Sequence, residues 1–278
     1  GLGLAMMGNA RGYPLRTPLS AAIPLEKRTV LRFFGADVRE LDDSLCPAPG
    51  APDGAIATAE MNAEDPAILL YTSGTTGEPK GCVWTHIGFI GSMVTRDMII
   101  CADFKSSDRF FFLSDMGWMV GAMCACIPTF AGASLLIAEG TPDFPDTGRF
   151  WRLTQDHRVS YLGVSPTIIR GLMRYGPQDV ERHDLSSLRM TVSGGEAWTA
   201  APWQWFFEHV CKSRLPIINV SGGTEVGGCI FTGTPNHPMN PCSFSRPALG
   251  VGADIVDMAG NSLPPGEVID RYLQGTAT

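Results

Sequence analysis

Three short, largely apolar runs in this 278-residue chain lead directly into polar loops rich in glycine. The runs are Ala67–Tyr71, Leu188–Ser193 and Ile217–Val220, and the loops read TSGTTGEPK, SGGEA and NVSGGTEVGG. Short apolar runs bounded by glycine predict buried strands. Because open α/β sheets bind ligands beyond the carboxyl ends of their strands, we expect the three loops to converge on one site.

Predicted strands and helices alternate along most of the chain. Further strands are predicted at Val30–Phe34, Arg109–Leu113 and Ser160–Val164. Helices are predicted directly after Gly81 and at Phe150–His157, Pro166–Tyr175 and Pro202–Cys211. This alternation predicts an α/β fold with a mostly parallel sheet flanked by helices. Residues 251–263 alternate like a hairpin that turns near Ala259–Asn261, which predicts a β-rich C-terminal end.

The uncharged stretch Gly117–Ala138 is long enough to cross a bilayer. It is rich in glycine and alanine, contains Pro128 and lacks basic flanks, so a membrane span fits it poorly. A buried helix, a turn at Phe130–Gly132 and a strand at Ser134–Ile137 are predicted instead.

Charge and cysteine spacing exclude other classes of function. The formal net charge of −7 argues against broad binding to nucleic acid or anionic membranes, but allows a local site for a phosphorylated ligand. The eight cysteines are scattered and form no CxxC pair. Most lie among apolar or small residues, which favours free thiols in a reducing cytoplasm over disulfides or a zinc site.

The loop Thr72–Lys80 has the composition of a phosphate-binding loop. Its glycines allow positive φ angles and close approach of the backbone to a ligand. Phosphate oxygens can accept from the loop N–H groups and from the hydroxyls of Thr72, Ser73, Thr75 and Thr76. Lys80 adds a positive charge. The spacing differs from GxxxxGK[ST], which argues against a P-loop phosphotransferase. A polar surface turn is the alternative, although few turns combine four hydroxyls with a lysine.

The stretch YTSGTTGEPKG, Tyr71–Gly81, resembles the signature loop of the adenylate-forming enzymes, such as acyl-CoA synthetases and peptide-synthetase adenylation domains. Members form an acyl adenylate from a carboxylic acid and ATP, and most then transfer the acyl group to a thiol. The resemblance implies part of the large domain of that fold, with ATP, Mg²⁺ and CoA as cofactors and a carboxylic acid as substrate. It implies nucleotide contacts from Thr72, Ser73, Gly74, Thr75, Thr76, Gly77 and Lys80.

The same resemblance assigns roles in the other two loops. A Gly-Glu pair followed by a small residue borders the adenine in the family, which corresponds here to Gly195, Glu196 and Ala197. A plain strand-to-helix turn is the alternative for this loop. In the third loop, the family's Thr-Glu pair assigns phosphate to Thr224 and Mg²⁺ to Glu225, with Asn219 and Gly223 as further nucleotide contacts.

Mg²⁺ binds through one or two carboxylates and completes its shell with phosphate and water, so a single glutamate is sufficient. A helix N-cap is the alternative role for Thr224. By resemblance, the catalytic candidates are Lys80, Thr224 and Glu225.

Residues 114–146, SDMGWMVGAMCACIPTFAGASLLIAEGTPDFPD, resemble the acetyl-CoA synthetase branch of the family. In its acetate enzymes a tryptophan closes the acyl pocket at the position that is Gly222 here. The resemblance therefore implies a pocket for acids longer than acetate, in which each buried CH₂ contributes about 0.8 kcal/mol. The predicted lining is Trp118, Met119, Val120, Gly194 and Gly222. Alternatively, Trp118 is a core residue and Asp115 a helix cap.

Three segments are predicted: a partial N-terminal segment and connector at 1–66, an AMP-binding α/β core at 67–231, and a truncated β-rich segment at 232–278. The family's ribose-binding aspartate, hinge and small C-terminal domain have no counterpart here, and the closing VIDRYLQGTAT departs from the family pattern. We therefore expect this polypeptide to bind ATP weakly and to be a poor catalyst. A non-catalytic nucleotide-binding module is the alternative function. The acid, the thiol acceptor and the oligomeric state stay open.

Overall fold

The computed structural model describes residues 16–20, 25–33, 36–41, 62–72, 79–115, 117–257 and 260–264. The chain divides into two compact units, residues 1–65 and residues 66–278. Most of the predicted phosphate loop lies outside the described residues, namely Ser73, Gly74, Thr75, Thr76 and Gly77. Residues 42–61 of the connector predicted over Asp42–Asp65, and Ala259 of the hairpin turn predicted near Ala259–Asn261, lie outside them as well.

The first unit contains a strand–helix–strand motif of β1 (Arg16–Ser20), α1 (Leu25–Phe33) and β2 (Asp37–Leu41). The two strands pair in parallel. Arg28 and Arg32 lie one helical turn apart and bind the Glu40 carboxylate at 2.6 and 2.8 Å, which ties α1 to β2. The strand predicted at Val30–Phe34 is therefore wrong. One β-branched valine is outweighed by the leucine, lysine and arginine residues around it, which favour a helix.

The second unit begins with an antiparallel hairpin of β3 (Pro66–Thr72) and β4 (Lys80–Thr85). Thr72 lies opposite Lys80, so the two ends of the predicted phosphate loop are adjacent. The strand predicted at Ala67–Tyr71 is confirmed, but it is half-buried and pairs with β4 outside the parallel sheet. The helix predicted directly after Gly81 begins later, since β4 comes first.

The helix after β4 starts as α2 (His86–Phe89) and continues with π-helical hydrogen bonding over Ile90–Cys101. Thr85 caps it, because its hydroxyl accepts the Gly88 N–H at 3.1 Å. The remaining helices are α3 (Met119–Ala131), α4 (Arg149–Asp156), α5 (Pro166–Leu172), α6 (Gln178–Glu181) and α7 (Ala200–Trp205). A 3₁₀ turn, Met173–Tyr175, follows α5, and π-helical bonding extends α7 over Phe206–Val210.

A five-stranded parallel sheet forms the centre of the second unit, with strand order β6-β5-β7-β8-β9. Its strands are β5 (Arg109–Phe112), β6 (Ser134–Leu136), β7 (Tyr161–Val164), β8 (Met190–Ser193) and β9 (Ile217–Asn219). The alternation in the sequence therefore predicted a parallel sheet correctly, because an intervening helix provides the crossover connection that two parallel strands require.

Helices cover both faces of this sheet. Successive strand residues point to opposite faces, and Phe110 and Phe111 accordingly belong to two different core clusters. The cluster around Phe111 contains apolar residues of α4, α5 and α7. The cluster around Phe110 contains residues of α3 and of the helix at 90–101.

The helix, turn and strand predicted in the uncharged stretch 117–138 are all present, although the helix includes Phe130 and Ala131 and the partly buried strand ends at Leu136. The stretch forms α3, a left-handed turn at Gly132 with φ of 71°, and β6. No helix within the described ranges combines the length and apolarity that crossing a membrane requires.

A small antiparallel sheet follows β9 and consists of β10 (Ser221–Gly223), β11 (Gly228–Thr232) and β12 (Arg246–Pro247). Further along, Val256 and Ser262 form an antiparallel bridge, which confirms the pairing of the predicted hairpin.

A buried carboxylate, Asp108, ties together the amino ends of three sheet strands. It accepts hydrogen bonds from the Lys105 N–H at 2.8 Å and from the Ser160 hydroxyl at 2.7 Å. Arg189 donates to it through Nε at 2.7 Å and also through Nη2. The Nη1 atom of Arg189 bonds Asp103 at 2.9 Å. This network lies at the end of the sheet opposite the predicted loops.

The cysteines of the described ranges are free thiols, as predicted. Burial raises the pKa of Cys124 to about 12 and that of Cys211 to about 12. At pH 8 about one such thiol in 10⁴ is then a thiolate, so we expect both to resist iodoacetamide in the native protein. Peptide mass spectrometry of native and urea-unfolded samples checks this. Equal alkylation of the two samples would contradict it.

Candidate active site

The second and third predicted loops begin side by side at the carboxyl edge of the sheet. In β7, β8 and β9, Val164 lies opposite Ser193, and Ser193 lies opposite Asn219. The Val220 N–H donates to the Ser193 carbonyl at 2.8 Å, which continues the pairing one residue beyond β9. The expected convergence of these two loops therefore follows directly from strand register.

The loop after β8 is anchored at both ends. The Ser193 hydroxyl is buried and accepts the Trp198 indole N–H at 2.9 Å. Gly195 has φ of 94°, a conformation that glycine adopts without strain. The Glu196 carboxylate accepts the Thr167 N–H at 2.8 Å and also binds Arg170. Residues Gly195 to Ala197 are exposed, and these contacts fix the loop on both sides of them.

These contacts also set the charge of Glu196. Burial acts to raise the pKa of this carboxyl, but the hydrogen bonds from Thr167 and Arg170 outweigh it, and the pKa is lowered. Glu196 is therefore ionised at neutral pH and bound to α5, where it holds the loop in position.

The loop after β9 forms a tight turn between β10 and β11. The N–H groups of Val226 and Gly227 both donate to the Gly223 carbonyl at 3.1 Å. Gly227 has φ of 63°, in the left-handed region. Thr224 thus lies within a β-hairpin turn, so the alternative role as a helix cap does not apply. Glu225 is exposed at this turn.

Side chains of β4 and of the following helix bind this turn from one side. The Trp84 indole N–H donates to the Thr224 carbonyl at 2.8 Å. The Ser92 hydroxyl lies between two acceptors, the Gly88 carbonyl of its own helix and the Gly227 carbonyl at 2.9 Å, and its one proton is shared between them. Asp97 accepts the Cys229 N–H at 2.8 Å. Since Trp84 follows Lys80 by four residues, these contacts connect the strand that leaves the first loop to the third loop.

Several predicted ligand-binding groups have no partner in the described part of the chain. The Thr72 hydroxyl oxygen and the Asn219 side-chain oxygen are buried, and neither forms a hydrogen bond with a described residue. The Asn219 amide nitrogen donates to the Ser243 carbonyl at 3.1 Å, so its orientation is set. Buried polar groups without a partner cost about 1–3 kcal/mol each. Groups of this kind are expected where a ligand completes the hydrogen bonding.

Two charged candidates are likewise available to a ligand. The Lys80 ammonium and the Glu225 carboxylate form no ion pair with any residue in the described ranges. An ammonium and a hydroxyl suit phosphate oxygens, and a carboxylate without a counter-ion suits a divalent cation. The chemistry of these residues therefore fits a nucleoside triphosphate with Mg²⁺.

A mostly apolar cavity of about 90 Å³ lies beside the second and third loops. Four of the five predicted pocket residues line it: Met119, Val120, Gly194 and Gly222. Trp118 does not line it and is 71% exposed at the start of α3, so neither the pocket nor the core interpretation describes its position. The lining residues that the sequence did not indicate include Met93, Met98, Phe110, Phe112, Met123 and Val192.

Main chain forms the cavity wall at two predicted positions. A Cβ atom on Gly222 would lie 2.1 Å from the Gly228 carbonyl oxygen. A Cβ atom on Gly194 would lie 2.8 Å from the Val220 side chain. No side chain fits at position 222 unless the β10–β11 hairpin moves.

A larger opening, of about 670 Å³, lies at the other end of the sheet. Its lining includes Arg189, Met190, Arg214 and Pro216, near the amino ends of β8 and β9. None of the predicted site residues lines it.

Known proteins resemble this chain in sequence and in fold. The protein family described as "AMP-binding enzyme" matches residues 20–270. The acetyl-coenzyme A synthetase of Rhodobacter capsulatus is 41% identical over 200 residues, which cover 71% of this chain and 30% of that protein. The acetyl-coenzyme A synthetase of Pasteurella multocida is 40% identical over 203 residues, which cover 72% of this chain and 31% of that protein.

Two solved structures share the fold. The acetoacetyl-CoA synthetase from Streptomyces lividans matches with a TM-score of 0.69 and 22% identity, covering 94% of this chain and 43% of that one. The anthranilate CoA ligase AuaEII, in complex with anthranoyl-AMP, matches with a TM-score of 0.68 and 22% identity, covering 95% and 50%. The chain thus spans about 30% of the length of the curated relatives it matches.

Proposed function

Because the chain belongs to the AMP-binding enzyme family, we propose that it carries the nucleotide-binding core of an AMP-forming acyl-CoA synthetase. In this activity the carboxylate of an acid attacks the α-phosphorus of ATP, pyrophosphate leaves, and the acyl group then passes from AMP to the thiol of CoA. The observation that carries the proposal is the set of groups without partners among the described residues: the Thr72 hydroxyl, the Lys80 ammonium, the Asn219 oxygen and the Glu225 carboxylate.

In the proposed site, Thr72, Lys80 and the loop residues Ser73, Gly74, Thr75, Thr76 and Gly77 bind the phosphates. Gly195, Glu196, Ala197 and Asn219 border the base, and Gly223 and Thr224 contact the nucleotide from the hairpin turn. Glu225 holds the cation. When bound, Mg²⁺ compensates the negative charge that develops on the transferred phosphoryl group.

The chain's own residues would contribute mainly position and charge. Lys80 brings a positive charge to the phosphates, and the pairing of Thr72 with Lys80 holds both ends of the loop together. The substrate carboxylate is itself the nucleophile, so the step requires no general base. A cytoplasmic location is part of the proposal, because free thiols and soluble CoA substrates belong to that compartment.

The apolar cavity supports an acid longer than acetate as the substrate. Its walls are mainly methionine, phenylalanine and glycine, and the glycine wall leaves its volume open to an alkyl chain. Each CH₂ that enters such a cavity contributes about 0.8 kcal/mol, so two of them strengthen binding about 15-fold.

Calorimetric titration of this chain with ATP and then with non-hydrolysable acyl-adenylate analogues tests the proposal. We expect weak binding of ATP that strengthens with Mg²⁺, and about 15-fold tighter binding of the butyryl than of the acetyl analogue. Absence of binding by ATP and by both analogues would contradict the proposed function. Equal affinity for the two analogues would contradict only the longer acid.

A second candidate is a nucleotide-binding module that keeps the fold and lacks catalysis. Pyrophosphate release from ATP, Mg²⁺, butyrate and CoA separates the two candidates. We expect this chain alone to release pyrophosphate slowly or not at all. Robust release would exclude the non-catalytic module.

A further inference from the structure

We propose that Trp84 is a positioning residue of this site, whose indole N–H holds the Thr224–Glu225 turn against the strand that begins with Lys80. The inference rests on the proposed function, because it concerns how that site presents Glu225 to Mg²⁺. It assigns a role to a residue that lines neither the cavity nor the nucleotide loops.

The contacts of Trp84 are specific to an indole. The side chain is 6% exposed, and its Nε1 lies 2.8 Å from the Thr224 carbonyl oxygen. The ring stacks on Phe89 at 5.5 Å with an interplanar angle of 14°. Its edge also lies 3.2 Å from the position that a Cβ atom on Gly227 would occupy. The tryptophan is therefore bonded to one end of the four-residue turn and lies close beside the other.

The hydrogen bond acts on the peptide that precedes Glu225. The Thr224 carbonyl belongs to the peptide group linking Thr224 to Glu225, so fixing this oxygen restricts rotation just before the carboxylate. Mg²⁺ demands near-octahedral geometry with ligands at about 2.0–2.1 Å, which leaves little tolerance for a shifted carboxylate. Groups that orient a metal ligand in this way typically contribute about 10- to 100-fold to metal affinity.

Neighbouring residues of the same segment extend this support. The Ser92 hydroxyl lies 2.9 Å from the Gly227 carbonyl oxygen, at the far end of the turn, and shares its one proton with the Gly88 carbonyl of its own helix. Asp97 accepts the Cys229 N–H at 2.8 Å, and Arg96 donates to the Cys229 carbonyl at 3.1 Å. One continuous stretch of chain, residues 80–97, thus begins with the proposed phosphate-binding lysine and holds the proposed metal-binding turn along its length.

The variants Trp84→Phe and Ser92→Ala test this inference, with Tyr161→Phe as the matched control. Phenylalanine at position 84 retains a stacked ring but lacks the donor. Tyr161 also donates to a buried carbonyl, that of Ala102 at 2.9 Å, but lies at the amino end of β7. Each variant removes a side-chain donor to the main chain, and only the first two act on the turn; the Ser92 hydroxyl also contacts the Gly88 carbonyl, so its effect on the turn is the smaller.

The measurement is ATP affinity of the full chain by calorimetry, with saturating Mg²⁺ and with EDTA. We expect Trp84→Phe to reduce the gain in ATP affinity due to Mg²⁺ about tenfold. The ATP affinity measured in EDTA should stay unchanged. Ser92→Ala should produce a smaller change in the same direction, and Tyr161→Phe none. Hydrogen exchange of residues 224–229 should accelerate in the first two variants alone.

The outcomes are distinct. The inference would be overturned if Trp84→Phe kept the full Mg²⁺-dependent gain in ATP affinity and an unchanged rate of hydrogen exchange at residues 224–229. The proposed function would stand in that case. If the unchanged chain gained no affinity for ATP from Mg²⁺, this inference and the metal-binding role of Glu225 would fall, whereas the proposed function falls only if ATP and both acyl-adenylate analogues fail to bind. Should Trp84→Phe not fold, Ser92→Ala decides by the same two measurements.

Discussion

Replacing Glu225 by glutamine is expected to reduce the Mg²⁺ affinity of the ATP-bound chain about 100-fold, because the change removes the negative charge and keeps the size of the side chain. Glu225 lies exposed in the turn between β10 and β11 and has no ion-pair partner among the described residues. An amide oxygen at the same place still offers a lone pair, but it is neutral. Calorimetric titration with Mg²⁺ at fixed ATP measures the change.

Glu208→Gln is the matched control, since it removes the same charge from an exposed position on the helix after α7. Its carboxylate binds Gln204 one turn earlier. We expect Glu208→Gln to bind Mg²⁺ with the same affinity as the unchanged chain. A Glu225→Gln variant with unchanged Mg²⁺ affinity would remove Glu225 from the proposed metal site.

Replacing Arg189 by leucine should lower the free energy of unfolding by about 3 kcal/mol, the lower end of the range for leaving a buried charge without its partner. The Asp108 side chain is 1% exposed and would keep only its hydrogen bonds from Lys105 and Ser160. Arg189 is itself 29% exposed, and this access to water reduces the loss. Urea unfolding followed by circular dichroism gives the value.

The exposed pair of Arg152 and Asp146 provides the comparison. Both side chains are 40% or more exposed, so Arg152→Leu should leave the urea midpoint unchanged. Equal midpoints for Arg189→Leu and Arg152→Leu would show that the buried network does not stabilise the sheet.

Local patterns were sufficient to predict the parallel sheet, because its strands are short apolar runs bounded by glycine, proline or polar residues. Local patterns did not predict the structure correctly where the same run of residues can form either a strand or a helix. Residues 82–85 pair with β3, and no local feature distinguishes that strand from the start of the helix after it. At Val30–Phe34 the expected strand is part of α1, since a single valine does not override good helix formers.

The candidate site likewise contains residues that the sequence predicts and residues that it does not. Threonines, glycines and a glutamate in a loop carry a local chemical signal, and the loops after β8 and β9 lie together as expected. Cavity residues such as Met93 and Met123 follow the same pattern as core residues, so the sequence does not single them out. The bond from Trp84 to Thr224 joins residues 140 positions apart and exists only through the tertiary fold.

The glycine wall of the cavity has a consequence for attempts to redesign the substrate range. Because the Gly228 carbonyl occupies the space that a side chain on residue 222 would need, shortening the accepted chain length at that position requires a new hairpin conformation. The cavity lining also includes thioether side chains on helices, Met93 and Met123, and a substitution there acts through a side chain and not through the hairpin backbone. Selectivity should therefore evolve, or be engineered, first from the helical side of the cavity.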